Sequence, residues 1–248
     1  MKYLVFQHLD VEHPGIFRRL FREYGISWST VKLDRGVDIP DLDSYDALVV
    51  LGGPMDVWEE DKHPWLRDEK AAISRWVLEL GKPYLGVCLG HQLLATALDG
   101  AVSKMKAPEV GIVAITATDS GIDDPLFAGV PIRSRVLQWH GAEVNRLPTG
   151  GICLARNGTC AVQAFRVGRF AYGLQYHVEI EPDTINAWKQ VPEYAAALVQ
   201  LLGPDGDRML EESARSAMPH MNAVASIICS NFHKIVGQAK RFAAPVSA

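Results

Sequence analysis

The amino-acid sequence predicts an α/β fold, with an open, mostly parallel sheet, helices on both faces and antiparallel additions. Two patterns carry this prediction. Short apolar runs alternate with stretches of helical periodicity through the first hundred residues, and short strand-like runs separated by turn residues follow in the middle. A length of 248 residues fits one large domain, or one domain with a small appendage.

The first part of the chain alternates strands with helices. Asp46–Leu51 is a nearly continuous apolar run, which is typical of a strand buried on both faces. The helix predicted from Trp65 ends before Gly81 and Pro83. The predicted strands are Lys2–Gln7, Trp28–Leu33, Asp46–Leu51 and Pro83–Val87, and the predicted helices are Pro14–Tyr24, Trp65–Leu80 and Leu89–Leu98.

The rest of the chain predicts antiparallel strands followed by helices. The strand-like runs are Gly111–Thr118, Ser134–Trp139, Ile152–Arg156, Ala161–Val167 and Phe170–Tyr176. The pattern becomes helical from Pro182 onward. Met209–Ile235 predicts one long helix or two, because Pro219 should kink or break it.

The composition excludes several classes of protein. Hydrophobic residues make up 48% and charged residues 22%, which excludes a disordered or collagen-like chain. With a net charge of −4 and no clustered basic stripe, we expect no nucleic-acid partner. No run reaches the ~18 apolar residues of a transmembrane helix, so we expect no membrane contact. Four cysteines without close pairing favour a reducing, cytoplasmic setting.

The segment Gly86-Val87-Cys88-Leu89-Gly90 has the form of a nucleophile elbow with Cys in place of Ser. A predicted buried strand precedes it and a helix follows, so the turn should expose Cys88 at the carboxyl end of the sheet. The helix N-terminus favours the thiolate, and the backbone N–H of Leu89 would point to a developing oxyanion. The alternative is a buried structural cysteine. That interpretation is given to the other cysteines: Cys153, Cys160 and Cys229.

A cysteine that attacks amides needs a base, and His177 is the best candidate. It follows a predicted core strand, and Glu179 lies two residues on, so in an extended chain both side chains project to the same side. Glu179 can then accept a hydrogen bond from the imidazole, which gives a triad in the order Cys, His, Glu. The alternative is a surface histidine beside an acidic cluster, Glu179, Glu181 and Asp183, that caps the next helix.

The remaining histidines are given smaller roles. His91 lies in the helix after Cys88 and should point off the elbow. The others lack a partner pattern and are predicted at the surface: His8, His13, His63, His220 and His233.

Two loops are predicted to close strands near the elbow. Gly52–Gly53 ends a buried strand, so its backbone N–H groups can approach a substrate and supply a second oxyanion donor. This loop lacks the lysine of a phosphate loop, and the chain has no G-x-G-x-x-G and no metal-ligand spacing, so we expect no cofactor and no metal. The other loop contains Trp139, His140 and Gly141. It faces the same crevice, or His140 is a satisfied core histidine.

Three stretches together, GGPM, GVCLGHQ and GLQYHVE, resemble the class I (triad) glutamine amidotransferases. The branch they resemble is the stand-alone one that is similar to the amidotransferase domain of GMP synthase. The resemblance implies a flavodoxin-like fold. It covers a catalytic domain over residues 1–190 and leaves residues 191–248 as a helical extension, which we expect to pack on the same domain.

The resemblance also implies roles at matching positions. Cys88 would be the nucleophile, His177 the base and Glu179 its partner. The oxyanion N–H groups would come from Gly53 and Leu89. The residues that would hold the substrate are Gly52, Gln92, Trp139, His140 and Gly141.

The sequence departs from the family pattern at two positions. Val178 stands where the family usually has Pro, which bears on the geometry of Glu179. Asp56 stands where Ser often follows the GGPM stretch. With the acidic run Glu59–Asp61, Asp56 would make one rim of the pocket negative.

The function implied by the resemblance is hydrolysis of glutamine through a γ-glutamyl thioester. Family members pass the ammonia to a synthetase, and no synthetase domain fits in 248 residues, so we expect a separate partner chain. One alternative is a stand-alone hydrolase of γ-glutamyl peptides or amides. Another is a non-catalytic binding or redox-sensing module. A cysteine α/β-hydrolase for esters fits the elbow, but that fold places its acid before its histidine.

Overall fold

The computed structural model describes residues 1–203 and 205–243. Within these residues the strands are Lys2–Gln7 (β1), Ser27–Lys32 (β2), Ala47–Val50 (β3), Tyr84–Val87 (β4), Ala101–Ala117 (β5), Arg133–Arg146 (β6), Ile152–Arg156 (β7), Ala164–Val167 (β8) and Ala171–Leu174 (β9). The α-helices are Phe17–Glu23 (α1), Trp65–Ser74 (α2), Leu89–Ala97 (α3), Asp119–Ile122 (α4), Thr184–Trp188 (α5), Pro192–Leu202 (α6) and Gly206–Ala243 (α7). A π turn over Arg75–Glu79 extends α2.

All of these strands join one sheet in the order β2-β1-β3-β4-β9-β8-β7-β5-β6. The first five strands in this order pair in parallel. The remaining four pairs of neighbours are antiparallel: β9 with β8, β8 with β7, β7 with β5, and β5 with β6. The flavodoxin-like α/β prediction is therefore confirmed, and the antiparallel additions extend the sheet by a further four strands. The fifth run predicted as an antiparallel addition, Phe170–Tyr176, contains β9, which instead pairs in parallel with β4 because it lies beside that strand in the sheet.

Helices cover both faces of the parallel half, as its side-chain pattern requires. Along β1, Tyr3 and Val5 lie in one hydrophobic cluster, whereas Leu4 and Phe6 lie in another. This alternation follows from the two-residue repeat of a strand. Side chains of α1 and α7 fill the first cluster, and side chains of α2 and α3 fill the second. The strands β1, β3, β4 and β9 are thus buried on both sides, which accounts for their nearly continuous apolar sequences, whereas the edge strand β2 is partly exposed and largely polar.

The long C-terminal helix α7 is continuous over 38 residues, and Pro219 lies inside it without ending it. Of the two predicted arrangements, the single helix is correct. Asn231 of α7 donates hydrogen bonds to the carbonyls of Leu126 and Ala128, which ties the helix to the turn before β6. The division at residue 190 stays a prediction. Of the predicted extension, Pro204 and residues 244–248 lie outside the described residues.

The predicted loop with Trp139, His140 and Gly141 is wrong. These residues lie inside β6, which runs on to Arg146. Their neighbour is β5, where Val110 pairs with Trp139 and Glu109 pairs with His140. Partners in β5 on both sides of Gly141 keep the chain extended, and Gly141 itself lies at an irregularity of the ladder, between the pairs Glu109–His140 and Lys104–Ala142.

The carboxyl ends of the central parallel strands meet at one edge of the sheet. Cys88 follows β4, Gly52 and Gly53 follow β3, and His177 and Glu179 follow β9. In open α/β sheets this edge forms the ligand crevice. Among the described helices, none combines the length and the apolar character that a membrane crossing requires.

Candidate active site

Cys88 occupies a strained turn between β4 and α3. Its backbone angles are φ 53° and ψ −104°, and the only other non-glycine residue with a positive φ in the described part of the chain is Asp99. The Cys88 N–H donates to the Leu174 carbonyl at 2.8 Å, which anchors the elbow to β9. A cysteine held in such a conformation points to a functional role, because the surrounding structure must stabilise the strain.

The two glycines of the elbow are required by close packing. A Cβ on Gly86 would lie 2.4 Å from the Gly90 carbonyl oxygen, and a Cβ on Gly90 would lie 2.2 Å from the Val50 carbonyl oxygen. Both distances are far inside van der Waals contact. The helix can therefore begin directly beside β3 and β4 only when these positions carry no side chain.

His177 and Glu179 form a buried pair. The imidazole Nδ1 lies 2.7 Å from Glu179 Oε1, and the side chains are 1% and 6% exposed. His177 is therefore not the surface histidine of the alternative interpretation. The Val178 N–H donates to Glu179 Oε2 at 2.9 Å, a hydrogen bond that proline could not make. The departure at Val178 thus adds a contact that holds the carboxylate.

The surroundings of His177 favour its protonated form. Burial lowers its pKa, but the charge of Glu179 and hydrogen bonding to Cys88 and Glu179 outweigh burial and hold the pKa well above its ordinary value. Trp188 packs its ring edge-on against the imidazole at 4.6 Å between centroids. A protonated histidine beside a cysteine stabilises the thiolate.

Gln175 contacts the cysteine and was missed by sequence reasoning. Its Nε2 lies 3.8 Å from Cys88 Sγ, within reach of a hydrogen bond to sulfur. Its Oε1 accepts from Gln92 Nε2 at 3.0 Å, and Gln92 also donates to the Ala142 carbonyl. Both bonds are donated by the Gln92 NH₂ group, so that group is already used within the protein. The Gln92 Oε1 is left to accept a hydrogen bond from a substrate. No signal in the sequence sets Gln175 apart from other buried glutamines.

The β6 residues contribute mainly backbone to the site. His140 Nδ1 donates to the Ala142 carbonyl, and its Nε2 lies 3.2 Å from Glu109 Oε2. Its ring is therefore satisfied inside the protein, as the alternative interpretation expects. Trp139 Nε1 donates to the Tyr194 carbonyl at 3.3 Å. Gly141 lines the cavity and has open space where a side chain would stand.

A second buried carboxylate, Glu12, lies near the pair of His177 and Glu179. The Tyr194 hydroxyl donates to Glu12 Oε1. Burial raises the Glu12 pKa above its ordinary value, although the nearby His177 and the Tyr194 hydrogen bond partly oppose this effect. A Cβ on Gly52 would lie 2.6 Å from Glu12 Oε2 and 3.2 Å from His177 Cε1, so only glycine fits between them.

The surface prediction for His8 is wrong. His8 is fully buried, and its two ring nitrogens face the Gly52 carbonyl and the Glu69 carboxylate. It lies directly after β1, where α2 covers it and the Trp65 ring stacks on it. This contact joins residues 61 positions apart, so no local pattern reveals it.

A cavity of about 370 Å³ opens on Cys88. Gly53 and Leu89, the predicted oxyanion donors, line it beside the cysteine. Charged residues of both signs line its outer part: Asp56, Glu59, Lys62, Lys104 and Glu193. The predicted negative rim is therefore mixed in charge. Burial and the neighbouring Glu59 raise the pKa of Asp56.

The remaining wall of this cavity comes from α6. Tyr194, Ala197 and Gln200 face it from beyond the part of the chain that carries the sequence motifs. Trp139 and Trp188 pack around Tyr194, with ring centroids 5.7 Å from the tyrosine in each case. The C-terminal segment thus shapes the cavity that opens on Cys88, which the sequence did not indicate.

Comparison with known proteins places this site in a family. The family model for class-I glutamine amidotransferase matches residues 15–187. The chain belongs to the class I glutamine amidotransferases. The glutamine amidotransferase-like protein YfeJ of Salmonella typhimurium is 34% identical over 72% of this chain and 75% of its own length. A glutamine-hydrolyzing GMP synthase subunit from Thermoplasma acidophilum is 31% identical over 66% of this chain and 76% of its own length.

Solved structures agree with the family. A glutamine amidotransferase from Thermotoga maritima superimposes with a TM-score of 0.83 at 28% identity, covering 95% of this chain and 98% of its own. A glutamine amidotransferase from Methylobacillus flagellatus, at 23% identity and a TM-score of 0.81 over 94% of each chain, shares the fold. The likeness extends beyond residue 187 and so includes the C-terminal helices of this amidotransferase.

Replacing Tyr194 by Phe should make stability fall more steeply as pH rises. Burial already raises the pKa of Glu12 in the folded state although the Tyr194 hydroxyl opposes this effect, so loss of the hydroxyl raises that pKa further. Stability then falls as pH rises above the ordinary glutamate range. We expect Tyr194→Phe to lower the free energy of unfolding by about 1–3 kcal/mol at about pH 8, and by less at about pH 5. Urea unfolding at both pH values measures this.

Tyr3→Phe is the matched control. Tyr3 is equally buried, and its hydroxyl has no hydrogen-bond partner among the described residues. That variant should change stability little and with no pH dependence. Equal losses in the two variants, or a loss in Tyr194→Phe that is the same at both pH values, would contradict the assignment.

Proposed function

We propose that this amidotransferase hydrolyses the γ-carboxamide of glutamine through a triad of Cys88, His177 and Glu179. The observation that carries the proposal is the position of His177. It is hydrogen-bonded to Glu179 at 2.7 Å and interacts with Cys88 at the strained elbow, and a cavity opens on that cysteine. A nucleophile, a base and an orienting carboxylate in this order meet the requirements of covalent amide hydrolysis.

The reaction then proceeds in two stages. The Cys88 thiolate forms a C–S bond to the amide carbon, and the carbonyl oxygen takes the displaced electron pair. Backbone N–H groups of Gly53 and Leu89 stabilise this oxyanion. The C–N bond breaks as His177 gives its proton to the leaving nitrogen, so ammonia departs and a γ-glutamyl thioester remains.

The second stage uses the same residues in reverse. Neutral His177 takes a proton from water, and the resulting hydroxide attacks the thioester carbon. The C–S bond breaks, glutamate leaves, and the thiolate and imidazolium are restored. Glu179 keeps the imidazole oriented with Nδ1 turned away from the reacting atoms, and the cover by Trp188 and Tyr194 limits water around the pair.

The substrate would be held mostly by backbone. We assign this role to Trp139, His140 and Gly141, which line the cavity, since the side chains of Trp139 and His140 already bond to the protein. Gly52 lies behind the cavity wall with its carbonyl facing His8, so its predicted contact with the substrate is left to its neighbour Gly53. Gln92 would contribute its free Oε1. An acceptor of this kind fits the α-amino group of glutamine, which in its protonated form carries only hydrogen-bond donors.

The ammonia would pass to a separate synthetase. Support comes from the relatives that are named as subunits of a glutamine-hydrolyzing GMP synthase. Family membership favours an enzyme over a non-catalytic binding or redox-sensing module and over an ester hydrolase. A cytoplasmic setting, and the absence of a nucleic-acid partner, stay predictions from composition.

Removing the nucleophile or its orienting carboxylate tests the triad. We expect Cys88→Ala to lower kcat for glutamine by at least about 10⁴-fold, because the covalent route disappears. Glu179→Gln, which keeps the size of the side chain, should lower kcat by about 10³–10⁴-fold because the histidine tautomer is no longer fixed. Glutamate release at saturating glutamine gives both values.

Cys153→Ala serves as the control, since Cys153 lies on β7 away from the cavity. It should retain wild-type turnover. Activity that survives in Cys88→Ala would exclude Cys88 as the nucleophile. Unchanged kcat in Glu179→Gln would exclude the triad while leaving the cysteine in place.

A stand-alone γ-glutamyl hydrolase is a second candidate function. The observation in its favour is the extent of the cavity, which continues from Cys88 past Asp56 to α6. A leaving amine larger than ammonia would occupy this outer part. In that function the γ-glutamyl group binds as glutamine does, and α6 selects the amine.

Filling the outer cavity distinguishes the two functions. Ala197 of α6 lines the cavity, so Ala197→Phe should raise KM for γ-glutamyl dipeptides by about tenfold or more, with a smaller effect on glutamine. Val199→Phe, on the exposed side of the same helix, should leave both substrates unaffected. Wild-type enzyme that turns over glutamine but no γ-glutamyl peptide would eliminate the second function.

A further inference from the structure

We infer that His8, held by Glu69, is a positioning residue that fixes the Gly52–Gly53 peptide so that the Gly53 N–H faces Cys88. The inference deepens the proposed function and rests on it, because Gly53 is there one of the two oxyanion donors. It assigns a catalytic purpose to a buried ion pair that the triad itself does not use.

The hydrogen bonds of His8 leave its ring one orientation. Nδ1 donates to the Gly52 carbonyl at 2.8 Å, and Nε2 lies 2.9 Å from Glu69 Oε1. Because an acceptor faces each nitrogen, the ring donates from both, and the charge of Glu69 raises its pKa against the effect of burial. Trp65 stacks on the ring with centroids 5.4 Å apart and planes 13° apart.

The hydrogen bond from His8 to the Gly52 carbonyl also fixes the direction of the Gly53 N–H. The Gly52 carbonyl and the Gly53 N–H belong to the same planar, trans peptide unit, so they point in opposite directions. A carbonyl held by His8 therefore turns the N–H away from His8. Gly53 lines the cavity beside Cys88 and Leu89, and its N–H donates to no acceptor among residues 1–203 and 205–243.

The Gly52–Gly53 pair needs such a restraint. Neither residue has a Cβ, so the peptide between them can rotate with little steric resistance. The preceding peptide is already fixed, because the Leu51 carbonyl accepts from the Gly90 N–H at 3.1 Å. Side chains cannot replace the glycines, since a Cβ on Gly52 would meet Glu12 at 2.6 Å and a Cβ on Gly53 would meet Leu89 at 2.9 Å. The orientation must therefore be set from outside the loop.

The burial of the pair fits this purpose. Both side chains are 0% exposed, and Glu69 Oε2 has no hydrogen-bond partner in the described part of the chain. Burying two charges and leaving one oxygen without a hydrogen bond carries a large desolvation penalty. Apolar side chains at these two positions would join β1 to α2 without that penalty. Fixing one donor of an oxyanion hole gives this pair a catalytic purpose.

A matched pair of variants tests the inference. His8→Asn keeps an N–H donor near the position of Nδ1, whereas His8→Leu has a similar volume and no donor. We expect kcat for glutamine to fall by about 10²–10³-fold in His8→Leu and by less than about tenfold in His8→Asn, with KM nearly unchanged in both.

Alkylation of Cys88 by iodoacetamide is the second readout. That reaction displaces iodide at a saturated carbon and forms no oxyanion, so its rate depends on the Cys88 and His177 pair alone. The alkylation rate should stay within about twofold of wild type in both variants, because the thiolate is unchanged. If His8→Leu does not fold, His8→Met fills the space without a donor and gives the same comparison.

The outcomes distinguish a failure of the role of His8 from a failure of the proposed glutamine hydrolysis. Equal kcat losses in the Asn and Leu variants, or alkylation that falls in parallel with kcat, would overturn the role of His8. These results count against His8 alone when wild type turns over glutamine and Cys88→Ala does not. An inactive wild type, or an active Cys88→Ala variant, overturns the proposed function and the inference with it.

Discussion

The conformation of Cys88 is the constraint on which the rest of the site depends. A positive φ at a cysteine is unfavourable, and it persists because β4 and α3 are packed too closely for any other path between them. Gly86 and Gly90 permit that approach. The turn places Cys88 at the edge of the sheet and at the start of a helix. Every other functional group is arranged around this fixed point.

Those groups come from loops at the carboxyl ends of neighbouring parallel strands. The loop after β3 carries the glycine pair, the loop after β9 carries His177 and Glu179, and the loop after β1 carries His8 and Glu12. Each loop is held by charge pairs or hydrogen bonds in the interior, where water screens little. A rigid parallel sheet therefore sets the spacing, and buried polar contacts set the orientation. Helix α6 forms one wall of the cavity that opens on Cys88.

The sequence predicted the parts of this arrangement that local pattern determines. The first four strands of the chain, the elbow around Cys88 and the two-residue spacing of His177 and Glu179 all follow from periodicity and turn chemistry. The parallel pairing of β9 did not, because it depends on β4 and not on the sequence of β9 itself. Contacts between distant segments had no such signal. His8 reaches Glu69 across 61 positions, and Glu12 reaches Tyr194 across 182. The strand was predicted only as far as Trp139, and its continuation to Arg146 was missed because that extended form depends on β5 rather than on its own residues.

The central claim is that Cys88 carries a γ-glutamyl thioester during turnover. The most direct measurement is mass spectrometry of the protein after acid quenching in the presence of glutamine, with peptide mapping to locate the adduct. The account predicts one γ-glutamyl group on the peptide that contains Cys88. Turnover without an adduct on any cysteine, or with the adduct on Cys153, Cys160 or Cys229, would contradict it.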